Sequence, residues 1–167
     1  SGLLVKESKE GILRVKQIVQ DLKDFSHVDE AVWQLTDVTK GINSTLNIVS
    51  NELKYKAKIE CDFEDIPPVE CVASQINQVI MNLLVNAGHA IEESGTVTIK
   101  TRLHDENNIS ISVHDTGCGI SEEHISKIFN PFFTTKPVGK GTGLGLSLSY
   151  SIIEKHGGKL QCSSTLG

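Results

Sequence analysis

The sequence lacks several features that would define other classes of protein. Its 167 residues contain no apolar run near the roughly 20 residues that span a bilayer, and no secretory signal pattern opens the chain. The formal net charge of −5 argues against nucleic-acid binding. The four cysteines form no C-x-x-C pair, so no zinc site is predicted. Scattered free thiols favour a reducing compartment, and we therefore expect the cytoplasm.

A long helix is predicted near the N-terminus, over residues 3–25, which contain no Pro and one interior Gly. Apolar residues recur there at the a and d positions of a heptad: Val5, Ile12, Val15, Val19 and Leu22. Neighbouring residues Leu4, Gly11, Ile18 and Phe25 widen this stripe. The pattern favours a bundle formed between chains over a helix folded onto its own domain. Residues 28–36 lack the pattern and are predicted to be a linker.

The rest of the chain alternates helical and strand patterns. Helices are predicted at 37–53, 74–91, 121–129 and 143–156. Thr36 or Asp37 would cap the first of these helices, and Ser74 the second. Strands are predicted at 57–63, 97–103 and 109–113, and from Leu160 and Cys162 onward. Gly157-Gly158 is a stop signal for the last helix. Because regular βαβ crossovers are missing, we expect an α/β two-layer sandwich with a mixed sheet and helices on one face.

Amide and imidazole side chains follow one ridge of the predicted helix 74–91. Gln78, Asn82, Asn86 and His89 lie at i, i+4, i+8 and i+11. Asn is a poor helix former, and a solvated helix face more commonly carries Glu and Lys. Neutral amide oxygens can bind a hard cation without adding charge beside phosphates. A solvated polar face is the alternative interpretation of this ridge.

Two glycine-containing segments follow. Asp115-Thr116-Gly117-Cys118-Gly119-Ile120 comes directly after a strand, and its glycines allow close backbone passage, although a simple turn into a helix is the alternative. After a Phe-rich segment at 129–133, glycines alternate from Gly139 to Gly145, interleaved with Lys and Thr. The string matches neither the Walker pattern nor G-x-G-x-x-G. Exposed N–H groups before a helix, with Lys136 and Lys140, favour phosphate contact over a merely flexible loop.

In this order, the motifs resemble the N, G1, F and G2 boxes of bacterial sensor histidine kinases of the GHKL superfamily, from about Thr36 to the C-terminus. The first helix is similar to the second helix of that family's dimerisation and phosphotransfer domain. The resemblance implies a Bergerat ATP-binding sandwich at 37–167, preceded by part of the dimerisation domain at 1–27 and a linker at 28–36. Relatives usually add a final strand, so one dimerisation helix plus most of a catalytic domain is expected.

The resemblance also implies roles for individual residues. Asp115 would accept a hydrogen bond from the adenine amino group, Asn86 would bind Mg²⁺, and Asn82 and His89 would lie near the phosphates of ATP. A lid over the triphosphate would include Lys136 and Lys140. The residues implied to bind ATP are Asn82, Asn86, His89, Asp115, Gly117, Gly119, Ile120, Phe133, Thr134, Thr135, Lys136, Lys140, Gly141, Thr142, Gly143, Leu144, Gly145 and Leu146.

The acceptor histidine of the family is absent from this chain. That histidine lies in a His-Glu-x-x-Asn-Pro-like box, and none of the six histidines here has this context. The resemblance therefore implies transfer of the γ-phosphoryl group to a histidine outside the chain, in a homodimeric sensor that relays it to the receiver domain of a response regulator.

An alternative is an ATPase or an ATP-dependent conformational switch. In relatives of those kinds, a Glu lies one turn before the Asn that binds magnesium, and this Glu activates water or a hydroxyl group. This chain has Asn82 at the position of that Glu. An amide cannot take a proton, whereas a neutral imidazole needs no strong base, which favours histidine as the acceptor.

Overall fold

The computed structural model describes residues 32–133 and 145–166, together with five positions of the N-terminal segment. Those five positions, Lys9, Ile12, Val15, Lys16 and Val19, are all helical, as predicted. More than half of each apolar side chain among them is exposed. The other residues of the predicted N-terminal helix lie outside the described part of the chain.

The described elements alternate between short strands and longer helices. In chain order they are β1 (Gln34–Thr36), α1 (Val38–Leu53), β2 (Ala57–Phe63), β3 (Val69–Cys71), α2 (Ala73–Ala90), β4 (Gly95–Asp105), β5 (Asn108–Asp115), α3 (Glu122–Ile125) and α4 (Gly145–Lys155). None of the helices in this described part is long and apolar enough to cross a membrane. All four cysteines are free.

The chain divides into two compact units. One consists of Val32–Ile125 with Cys162–Gly167, and the other of Ser1–Ala31 with Ser126–Gln161. The sheets and helices α1 to α3 belong to the former, and α4 belongs to the latter.

The main sheet has the strand order β2-β4-β5. β2 is parallel to β4, whereas β4 and β5 form an antiparallel hairpin, so the predicted mixed sheet is confirmed. At the hairpin turn, the Asp105 carboxylate accepts a hydrogen bond from the Asn107 N–H at 2.8 Å. The turn lies between the two predicted strands, 97–103 and 109–113.

One hydrophobic core joins α1 and α2 to this sheet. Val97 and Ile99 on β4 are fully buried, as are Ile42 on α1 and Leu84 on α2. The alternate strand positions carry exposed polar side chains such as Lys100, which leaves the opposite face of the sheet to solvent in the described residues. The helices therefore cover one face, as the two-layer prediction requires.

The sequence patterns did not predict β1 and β3. These strands pair antiparallel, with Gln34 opposite Cys71, so the last three residues of the predicted linker are a strand. A three-residue strand is too short to show the alternation by which strands are recognised. The predicted Ser74 cap is also wrong. The cap position is Val72, whose backbone carbonyl accepts hydrogen bonds from the N–H groups of Gln75 and Ile76. No side chain of the cap residue bonds to the first turn of α2.

Two further predictions about elements need correction. Helix α3 is one turn long and ends at Ile125, short of the predicted Phe129. No strand begins at Leu160 or Cys162. The described residues of this segment instead bond to a loop, with the Ser164 hydroxyl accepting from the Ile120 N–H at 2.7 Å.

The predicted stop signal of the last helix is confirmed. Gly157 has a φ of +73°, the left-handed conformation that favours glycine at this position. The Gly157 and Gly158 N–H groups donate to the carbonyls of Glu154 and Ile153 at 2.9 and 3.0 Å. This pair of bonds satisfies carbonyls at the end of α4.

The predicted cap of α1 provides a stability test. Asp37 accepts a hydrogen bond from the Lys40 N–H at 3.1 Å. We expect Asp37→Ala to lower the free energy of unfolding by about 1 kcal/mol, because that N–H loses its acceptor. Urea denaturation measures the change, with Asp65→Ala in an exposed loop as the control, expected to be within about 0.5 kcal/mol of wild type. Equal stability of the two variants would contradict the capping role.

Candidate nucleotide-binding site

Helix α2 holds the predicted amide ridge. Asn82 and Asn86 are half-buried and His89 is exposed. The opposite side of the helix is anchored in the core through buried Ile80 and Leu84. Because the helix is fixed on that side, the ridge is held in a constant orientation.

The loop between β5 and α3 begins at Asp115, the last residue of β5. Its half-buried carboxylate accepts a hydrogen bond through Oδ1 from the Gly117 N–H at 2.9 Å. Within the part of the chain that the structure describes, Oδ2 makes no hydrogen bond. This arrangement fixes the carboxylate while leaving one charged oxygen to accept from a ligand.

Close packing against α2 explains the first glycine of the loop. A Cβ at position 117 would collide with the backbone carbonyl of Ala90, the last residue of α2. The next residue, Cys118, donates its N–H to the same carbonyl at 2.9 Å. The structure therefore brings two of the predicted motifs together, the Asp115 loop and the end of the helix that carries Asn86 and His89.

The second glycine of the loop packs against residues near the C-terminus. Gly119 has a φ of +78°, and a Cβ there would collide with the backbone carbonyl of Thr165. Nearby, burial raises the pKa of the Cys162 thiol, and the negative charge of Asp115 raises it further. Sequence reasoning assigned Cys162 and Thr165 no place at this loop, because the segment was predicted to enter a strand and has no motif of its own.

Three further predicted residues belong to the other unit. Phe133 and the first residues of α4, Gly145 and Leu146, are described there. The Phe129 ring of the Phe-rich segment packs on Tyr150 of α4, with centroids 5.3 Å apart and an angle of 31° between the planes. The predicted lid residues Thr134, Thr135, Lys136, Lys140, Gly141, Thr142, Gly143 and Leu144 lie outside the described residues.

The side chains on α2 that could act as metal ligands fit one kind of metal site. The described residues contain no group of three or more His, Cys, Asp or Glu side chains that could hold a metal ion. The side chains of Asn82 and Asn86 on α2 offer amide oxygens, and phosphate oxygens and water would complete the coordination of a metal there. Mg²⁺ commonly binds in this way, with few protein ligands beside a nucleotide.

A protein-family model matches residues 71–167, which include α2, the main hairpin and the Asp115 loop. Its description is "Histidine kinase-, DNA gyrase B-, and HSP90-like ATPase". The chain belongs to this family. Membership implies ATP binding, and the predicted resemblance to sensor histidine kinases is confirmed by relatives of that kind.

Two curated relatives are sensor kinases. Sensor kinase CckA of Brucella abortus is 37% identical over 177 residues, which cover 95% of this chain and 18% of CckA. Signal transduction histidine-protein kinase AtoS of Escherichia coli is 34% identical over 156 residues, which cover 92% of this chain and 25% of AtoS. The chain thus spans a quarter or less of the length of these two relatives.

A solved structure supports the fold assignment. The nucleotide-free catalytic domain of histidine kinase ThkA superposes with a TM-score of 0.67 and 32% identity, covering 74% of this chain and 81% of that domain. The Bergerat sandwich expected from the sequence is confirmed.

Proposed function

We propose that this chain is the ATP-binding catalytic part of a sensor histidine kinase. It transfers the γ-phosphoryl group of ATP to a histidine outside residues 1–167, for relay to the receiver domain of a response regulator. The observation that carries the proposal is the contact between the Asp115 loop and the end of α2. This contact places a half-buried carboxylate next to the helix that carries two half-buried amides.

Asp115 gives the site its preference for adenine. Its Oδ1 is engaged by the Gly117 N–H, so Oδ2 accepts the hydrogen bond from the exocyclic amino group of the base. A carboxylate is a stronger acceptor than a neutral amide. A base with a carbonyl oxygen in place of the amino group has no donor at that position, and the carboxylate repels its carbonyl oxygen.

The amides of α2 serve the phosphate end of the nucleotide. Asn86 binds Mg²⁺ through its side-chain oxygen, and Asn82 and His89 lie near the phosphates. When bound, Mg²⁺ neutralises charge on the phosphates, which is the main requirement of phosphoryl transfer. Neutral ligands suit this task because a carboxylate there would repel the triphosphate.

The same ridge favours histidine as the phosphoryl acceptor. Asn82 stands where ATP-hydrolysing members of the superfamily carry a Glu, and an amide cannot remove a proton from water or a hydroxyl group. A neutral imidazole nitrogen already presents its lone pair and needs no base of that strength. The arrangement therefore permits transfer to histidine while giving water little assistance.

The N-terminal segment supplies the contact with the histidine-bearing domain. Ile12, Val15 and Val19 lie on a helix with more than half of each side chain exposed, which suits pairing in a dimerisation bundle of a homodimer. We assign residues 1–27 to that bundle. We also assign β1 to the catalytic domain, which would then begin a few residues before the predicted 37, because β1 pairs with β3. Because the reaction consumes ATP, we assign the chain to the cytoplasmic part of the sensor.

The overall proposal is tested by supplying the missing acceptor. We expect the chain, incubated with radiolabelled ATP and a separate dimerisation domain that bears the histidine box, to label that domain with acid-labile phosphate. Release of free phosphate without protein labelling would instead support the alternative, an ATPase or ATP-dependent switch. Stable labelling of the isolated chain on one of its own six histidines would overturn the assignment of the acceptor to another domain.

The adenine contact has a test of its own. We expect Asp115→Asn to weaken ATP binding by about tenfold, because a charge-assisted hydrogen bond becomes a neutral one. Calorimetry with ATP and ITP measures the effect, since ITP lacks the amino group and its affinity should change far less. Asp105→Asn in the β4–β5 turn is the control, and both of its affinities should match wild type. An unchanged ATP affinity in Asp115→Asn would remove Asp115 from the adenine site.

A further inference from the structure

Thr116, which follows Asp115, joins the site loop to the neighbouring strand through two hydrogen bonds. Its N–H donates to the Thr96 carbonyl at 3.1 Å. Its Oγ1 accepts from the Thr96 N–H at 2.9 Å. The site loop is thus held at two points, to β4 through Thr116 and to α2 through Cys118.

The Thr116 hydroxyl takes the place of the Thr116 backbone carbonyl in the strand pairing. Asp115 lies opposite Val97 in the β4–β5 ladder, so Thr116 falls opposite Thr96 at the next step. In an antiparallel ladder a hydrogen-bonded pair exchanges two backbone bonds. Here the second acceptor is the side-chain oxygen of Thr116 rather than its carbonyl. The backbone is therefore released to turn directly after Asp115 while the strand end stays fixed.

Gly95 leaves room for this hydroxyl. A Cβ at position 95 would lie 2.6 Å from Thr116 Oγ1 and 3.2 Å from side-chain carbons of Ile91. Those distances are too short for the hydroxyl to keep its place. The position of the Thr116 hydroxyl therefore depends on glycine at position 95.

We propose that Thr116 is a positioning residue that sets the direction of the Asp115 carboxylate and so determines the preference for adenine. The proposal rests on the adenine role of Asp115 given above. Asp115 occupies the single position between the ladder pair Thr98–His114 and the locked pair Thr96–Thr116. Its backbone therefore has little freedom while the Thr116 bonds persist. Loss of the hydroxyl removes one of the two bonds between Thr116 and Thr96, and so loosens the backbone next to Asp115.

The test compares Thr116→Val, which keeps the shape but loses the acceptor, with Thr116→Ser, which keeps the acceptor. Calorimetry gives the affinities for ATP and for ITP. We expect the ATP-to-ITP affinity ratio to fall by about tenfold in Thr116→Val and to stay within about twofold of wild type in Thr116→Ser. A purely structural role would lower both affinities equally and leave the ratio unchanged, which would overturn the proposal.

Two further variants make the test decisive. Thr36→Val removes a threonine hydroxyl elsewhere, which donates to the Gln34 carbonyl at 3.0 Å, and should leave the ratio unchanged. Gly95→Ala displaces the Thr116 hydroxyl without removing it, should lower the ratio as Thr116→Val does, and replaces that variant if it fails to fold. If wild type itself does not discriminate ATP from ITP, the adenine role of Asp115 fails. If Asp115→Asn loses discrimination while Thr116→Val and Gly95→Ala retain it, only the positioning role fails.

Discussion

Asn86→Ala should reduce phosphoryl transfer to a supplied dimerisation domain by on the order of 100- to 1000-fold. The side-chain oxygen of Asn86 is the protein ligand proposed for Mg²⁺, and alanine leaves the cation held only by phosphate oxygens and water. The γ-phosphoryl group then loses its alignment with the incoming imidazole. Because α2 is anchored through buried Ile80 and Leu84, removing a half-buried polar side chain from its other face should leave the fold intact.

The assay scores protein-bound radioactive phosphate separately from free phosphate. Asn47→Ala is the matched control, since Asn47 is an exposed asparagine on α1 and should transfer phosphate at the wild-type rate. A thermal melt of each variant checks that it is folded. Transfer by folded Asn86→Ala within about threefold of wild type would exclude Asn86 as the magnesium ligand. A low rate restored by excess Mg²⁺ would strengthen that assignment.

Gly117→Ala should weaken nucleotide binding by about 100-fold or more, because a misplacement of binding groups by about 1 Å can cost that factor. The added Cβ would enter the space of the Ala90 carbonyl, which is backbone and cannot turn away as a side chain would. The loop must therefore move off the end of α2. That movement breaks the Cys118 hydrogen bond and changes the turn in which Gly117 binds the Asp115 carboxylate.

Calorimetry with ATP measures this loss. Gly158→Ala is the control, because a Cβ there meets a side-chain carbon of Ile153 at 3.2 Å, and side-chain atoms can adjust. It should bind ATP as wild type does and lose at most about 1 kcal/mol of stability. ATP affinity of Gly117→Ala within about threefold of wild type would mean that the contact with Ala90 does not support the site.

Some strands could be predicted from the sequence and others could not, for physical reasons. Alternating apolar residues predicted the β4–β5 hairpin because their side chains reach the core at every second position. The three-residue strands β1 and β3 had no such period, and their pairing depends on segments more than 30 residues apart in the chain. The expected strand after Leu160 does not form in the described residues, because a strand needs a partner as well as a suitable sequence.

By itself, the sequence determined the family, the class of fold and the identities of the chemical groups: amides on one helix, a carboxylate after a strand, and glycines beyond it. The family follows from the resemblance that the ordered motifs carry, whereas the class of fold and the chemical groups follow from local periodicity and residue type. Only the tertiary structure decided why Gly117 must lack a side chain, that Thr116 replaces a ladder carbonyl, and that Thr165 packs on Gly119. Each of these depends on a contact between segments distant in the chain, and such contacts arise only when the core fixes the helices and the sheet against each other.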